Sequence, residues 1–120
     1  RNGGGLAVHK STHHFDLVNW WLGTRPETVM AMGGLRFYGR ENAEARGEPR
    51  AYLRGTSEVA AGDPFALDLR KNDGQRRLYL ECEAADGYLR DQNVFGDGIS
   101  IEDELSLLVR YENRAVMSYH

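Results

Sequence analysis

A chain of 120 residues, 41% hydrophobic and 28% charged, can bury one modest core and is too apolar for a disordered tail. Its net charge of −3, with arginines scattered along it, provides no field to attract nucleic acid; Arg76-Arg77 reads as solvated surface. Its apolar runs are far short of a membrane span, and the N-terminus lacks the charged-then-apolar order of a signal peptide.

The first predicted element is a helix from Ser11 to Leu22. Ser11 or Thr12 can cap it, because a hydroxyl there accepts from a free first-turn amide. Phe15, Val18 and Leu22 recur at helical spacing, and Leu17 and Trp21 widen that stripe; Gly23 and Pro26 end the element. Thr28 to Met32 reads as a strand, which Leu35 to Tyr38 extends beyond the Gly33-Gly34 turn. Glu41 to Arg46 is a short exposed helix, and Gly47 to Pro64 is mainly loop. Gln75 to Ala85 has helical composition, yet the alternation of Leu78, Leu80 and Cys82 suits a strand equally well. Gly87 to Asp103 is a second loop. Glu104 to Tyr111 and Arg114 to Tyr119 then alternate around Glu112-Asn113 as a hairpin. These elements make an α+β fold, with the prominent helix packed on a mainly antiparallel open sheet. The start at Arg1 without methionine, and the end at His120 just after a strand, predict a fragment truncated at both ends. The lone cysteine, Cys82, excludes an internal disulfide, is expected to pack as a small apolar residue, and fits a reducing, cytoplasmic setting.

The stretch from Gly3 to Trp21 holds most of the chemistry: three glycines, three histidines, Lys10 and Asp16. His9 and His13 are four apart, as zinc ligands on a helix can be. The metalloprotease pattern, however, needs a glutamate where Lys10 stands, and the glycines place His9 before the helix proper. General acid–base chemistry suits His13, with Asp16 one turn on to hold its tautomer and Lys10 to stabilise developing charge. The plain alternative is an idle polar helix start, and it fits His14 best. Trp21 is expected in the core, whereas Trp20, on the His13 side, can stack on a sugar ring. Asp97, Glu102, Asp103 and Glu104 have the charge of a calcium loop but no EF-hand spacing.

Gly3-Gly4-Gly5 followed by His13, Asp16 and a tryptophan near the helix end resembles the C-terminal domain of the Gfo/Idh/MocA oxidoreductases, whose motif there is GGGxxxDxGxHxxD. The likeness continues through Leu35-Arg36-Phe37-Tyr38-Gly39, Asp63-Pro64-Phe65-Ala66-Leu67-Asp68 and Asp91-Gln92-Asn93-Val94-Phe95-Gly96-Asp97-Gly98, so it covers nearly all of residues 1–120. The resemblance implies a larger enzyme. A separate Rossmann domain would bind NAD or NADP, and this domain would supply substrate contacts and a homo-oligomer interface. The implied substrate is a sugar, inositol or related polyol, with His13 as acid–base residue and Asp16 as its helper. It also implies substrate contacts from Arg90, Asp91 and Asn93, whose hydrogen-bonding groups suit a polyol. This chain departs from the motif in having His9 for the first aspartate and Ser11 for the glycine, so His9 and Lys10 join the site as substitute members. There is no GxGxxG here, and neither cofactor nor metal is expected to bind this fragment by itself. Two further readings are a non-catalytic assembly module, using a sheet face with Leu105, Leu107 and Val109, and a metal-dependent hydrolase. No nucleic-acid or membrane partner is expected.

Overall fold

The structure, a computed structural model, describes residues 5–120, so Gly3 and Gly4 of the glycine run lie outside the described residues. The chain forms two compact units, residues 5–38 with 100–120, and Gly39–Ile99.

The first unit is a helix on a three-stranded sheet. Helix α1 begins with a wide π-helical turn, Ala7–Ser11, and continues as a regular α-helix over Thr12–Leu22. It therefore starts earlier than the serine cap predicts. Ser11 has helical dihedrals and makes no capping bond, and the Thr12 hydroxyl donates back to the Val8 carbonyl at 3.1 Å, as an interior threonine does. Gly23 adopts the left-handed conformation and donates to the carbonyls of Asn19 and Trp20, so the helix stops where expected. Strand β1 (Pro26–Gly34) pairs with β2 (Glu104–Tyr111), which pairs with β3 (Val116–Tyr119), all antiparallel in the order β1-β2-β3. Alternation on β2 sends Leu105, Leu107, Val109 and Tyr111 inward, and Val109 and Tyr111 become core. Tyr119 pairs with Leu107 and meets the Phe15 ring edge-on at 5.0 Å, so this is the sheet face that α1 covers.

Leu35 to Tyr38 is not a strand. The Asp103 carboxylate accepts from the backbone amides of Arg36, Phe37 and Tyr38 at 2.7, 2.9 and 2.7 Å, replacing the ladder a sheet extension would need. Burial by itself raises the Asp103 carboxyl, but these three amides outweigh it and hold the group below the usual carboxylate value.

The second unit has little regular structure and is organised by buried polar groups. It contains α2 (Arg40–Ala45) and several single helical turns. Gln75 to Ala85 resolves as helical turns: Asn72 caps the start by accepting from the Gln75 amide at 3.0 Å, and no strand lies alongside. Leu69, Phe95, Ala43, Ala60 and Tyr52 form the core. Arg50 stacks over Phe95 at 4.3 Å while its Nε donates to Asp63 at 2.7 Å; the Tyr52 hydroxyl donates to the same carboxylate oxygen at 3.0 Å. Cys82 is exposed, with its Sγ donating to the Arg77 carbonyl, contrary to the packed position expected of it.

Candidate functional site

On α1 the buried and half-buried positions Ser11, Phe15, Val18, Asn19 and Leu22 recur at steps of three and four, which fixes the sheet-facing side. The other side carries His9, Lys10, His13, Asp16 and Trp20, all exposed. Leu17 and Trp21, expected to widen the buried stripe, are exposed too, Trp21 by 69%. The reason is geometric: five apolar positions span more of the wheel than a three-stranded sheet can cover. His9 and Lys10 lie inside the helix, in its π-helical turn, and not ahead of it. Such a turn holds about 4.4 residues, so it rotates His9 and Lys10 relative to His13; these turns are rare and recur at functional sites.

Among the described residues, the exposed side chains of Lys10, His13 and Asp16 make no hydrogen bond or ion pair. The tautomer-holding bond expected between His13 and Asp16 is therefore not built into the helix. His14, read as idle, is engaged: its Nδ1 lies 2.8 Å from the Tyr119 hydroxyl, which also lies 2.9 Å from the buried Ser11 hydroxyl.

Arg90, Asp91 and Asn93 belong to the second unit. Arg90 is exposed, with its guanidinium 4.6 Å above the Tyr79 ring. Asp91 is only 1% exposed, and its carboxylate is fully occupied. Oδ1 accepts from Arg54 at 2.6 and 2.8 Å, and Oδ2 from the Thr56 amide and hydroxyl at 3.0 and 2.7 Å. Burial pushes the Asp91 carboxyl up, but Arg54 and Thr56 together bring it below its ordinary value. Arg54 also pairs with Glu83, and the two carboxylates raise its affinity for its proton. Asn93 is buried as well. Its amide donates to the Tyr52 and Arg50 carbonyls at 2.8 and 3.3 Å, and its oxygen accepts from the Phe95 amide at 2.9 Å. The polyol contacts expected of Asp91 and Asn93 are thus replaced by internal ones, since a buried carboxylate with filled lone pairs has nothing left to offer a ligand. Asp63 follows the same pattern: burial raises it, while Phe65, Tyr52 and Arg50 outweigh that and lower it. Burial, then the neighbouring Asp63, push the Tyr52 hydroxyl up to about 12.

Sequence reasoning missed Arg54, Glu83 and Tyr119 as organising residues. Their partners lie 29 to 108 positions away, and no local pattern signals such a pairing. Among the described residues, no three His, Cys, Asp or Glu side chains converge as a metal-ligand set, so the hydrolase reading finds no donor geometry here. No helix among them is long and apolar enough to cross a membrane. A recess of about 100 Å³ beside Phe95 lies in the second unit, lined by Arg40 and Arg50, which already pair with Asp97 and Asp63.

Residues 1–120 match the Gfo/Idh/MocA family described as "Oxidoreductase family, C-terminal alpha/beta domain". The chain belongs to that family. It is also similar to "Putative oxidoreductase YteT" of Bacillus subtilis (strain 168), with 36% identity over 124 residues, covering 97% of this chain and 29% of the relative. This Gfo/Idh/MocA chain therefore spans less than a third of the length of the curated relative it matches. No solved structure matches it. Its three-stranded sheet is antiparallel throughout, and among the described residues no strand runs through a glycine-rich turn into a crossover helix. These residues do not fit the pyrophosphate of a nicotinamide dinucleotide.

Proposed function

We propose that this Gfo/Idh/MocA domain is the substrate side of an NAD(P)-dependent oxidoreductase acting on a sugar, inositol or related polyol, with His13 as its acid–base residue. One observation supports this above the others: His13 stands exposed and unengaged among Lys10, Asp16 and Trp20, on the one side of α1 that the sheet leaves open. A nicotinamide bound by residues outside this domain would supply the hydride chemistry. The proton belongs to His13, whose neutral imidazole accepts it from the substrate hydroxyl and returns it in the reverse direction. The Lys10 ammonium favours the developing alkoxide, and the Asp16 carboxylate favours the imidazolium. His9 stands where the family motif has an aspartate. Trp20, 75% exposed, presents a ring face for the C–H side of a sugar.

The test uses the full-length protein, screened against sugars, inositols and polyols with NAD and NADP by nicotinamide absorbance. His13→Ala is expected to lower kcat by about 10²- to 10⁴-fold, the usual contribution of a positioned acid–base group. Full turnover in that variant would remove His13 from the mechanism.

A second, compatible reading is self-association through the uncovered sheet face. Leu105, Leu107 and Val109 lie on the helix side. The opposite face carries Met30, paired with Leu108, together with Met32 and Val116, all more than half exposed. An apolar face of this kind on an open sheet is suited to a second copy of the chain in a homo-oligomer.

A further inference from the structure

The side of α1 that carries His13 depends on how the other side is held. Phe15, Val18 and Leu22 are half-buried there, and the burial of apolar groups carries no direction of its own. The Tyr119 hydroxyl adds a directional attachment. It is within hydrogen-bond distance of Ser11 Oγ and His14 Nδ1, at 2.9 and 2.8 Å, one helical turn apart on the same helix. The ring below it is fixed as well, edge-on to Phe15 at 5.0 Å and tilted against His14 at 5.7 Å. Ser11 is 4% exposed, so water cannot readily replace Tyr119 as its partner.

Two polar attachments from one point on β3 to successive turns of α1 set the helix's rotation about its own axis. His13 directly precedes His14, and Asp16 follows two residues after it, so any roll at His14 is passed on to both. Ser11 stands where the family motif has glycine, which has no side chain to reach Tyr119; in this chain the serine creates the second attachment.

We infer that Tyr119 is a positioning residue for the acid–base site: its hydroxyl, through Ser11 and His14, sets the direction in which His13 and Asp16 project. The inference rests on the reading of His13 given above. It makes His14 a structural partner of the site and not a second acid–base group. A displacement of about 1 Å in a reacting group can lower a rate on the order of 10²-fold, so a lost rotational restraint should appear in turnover.

The experiment uses the full-length protein and the substrate identified by the polyol screen. Tyr119→Phe keeps the ring and its contact with Phe15 and removes only the hydroxyl. We expect kcat to fall roughly tenfold with KM within about twofold, and the fall to disappear in a His13→Ala background. A purely structural effect would instead lower turnover by the same factor in both backgrounds. Ser11→Ala combined with His14→Gln removes the helix side of the attachment, should reproduce the loss, and serves if Tyr119→Phe folds poorly. Wild-type kcat in these variants, in an enzyme that does require His13, would overturn the positioning role alone. A blank screen, or full turnover by His13→Ala, would overturn the catalytic reading and this inference with it.

Discussion

Asp91 shows how a single residue can mislead when read in isolation. Within Asp91-Gln92-Asn93 it looks like a polar loop residue suited to a sugar, yet it is buried and its half-buried partner Arg54 lies 37 positions earlier. Removing the carboxylate leaves Arg54 with Glu83 alone and strips the Thr56 amide and hydroxyl of their acceptor, so Asp91→Ala should cost about 1–3 kcal/mol in urea unfolding at neutral pH. The pH dependence follows from the lowered carboxyls of Asp91, Asp63 and Asp103. Their stabilisation is complete above the unfolded value of 3.8 and is lost as pH falls through their lower folded values. Stability should therefore drop below about pH 4, and Asp91→Asn should make that drop shallower; an unchanged acid limb would contradict the assignment. His13, by contrast, was legible as a residue of α1, because helical spacing places it there. Its lack of a bond to Asp16 was not, because i, i+3 spacing brings side chains near without choosing their rotamers.

Between elements, the hairpin and its Glu112-Asn113 turn were visible from alternation, but the left-handed residue that completes the turn was not. The loop closes with the Arg114 amide donating to the Tyr111 carbonyl, and with Arg114 at φ 71°, a conformation that costs an L-residue about 1–2 kcal/mol. Arg114→Gly should relieve that strain, net of roughly 0.5–1 kcal/mol of chain entropy, and raise the thermal midpoint slightly. A lower midpoint would show that the arginine side chain contributes more than the strain costs. Gly55 presents the opposite case. A Cβ there would come within 2.5–2.8 Å of the Leu67 backbone, so Gly55→Ala should destabilise the second unit by about 1–3 kcal/mol, measured by denaturant unfolding. The early start of α1 was hidden because a serine in front of an apolar stripe looks like a cap. The helix continued upstream through Ala7, and Ser11 turned toward Tyr119 instead.

For the whole molecule, the prediction concerns assembly. Met30→Glu together with Leu108→Glu places charge on the uncovered sheet face without touching the helix side. If that face joins copies of the chain, sedimentation should show the pair of substitutions shifting the protein toward monomer while thermal stability changes little. An unchanged oligomer would remove this face from the interface. Calorimetry on the chain with either nicotinamide cofactor should give no binding at micromolar strength, because no crossover unit is present among the described residues to cradle a pyrophosphate.

Sequence by itself determined what depends on near neighbours: the helix ending at Gly23, the hairpin, the α+β class and the family. These follow from periodicities of two and 3.6 and from short motifs, which act over a few residues. Tertiary structure decided which face of α1 the sheet covers, that Asp91, Asn93 and Asp103 serve the fold, and that Tyr119 reaches back to Ser11. Those outcomes depend on hydrogen bonds between groups up to 108 positions apart. Whether a polar side chain meets water or a buried partner is settled only when the whole chain closes around it.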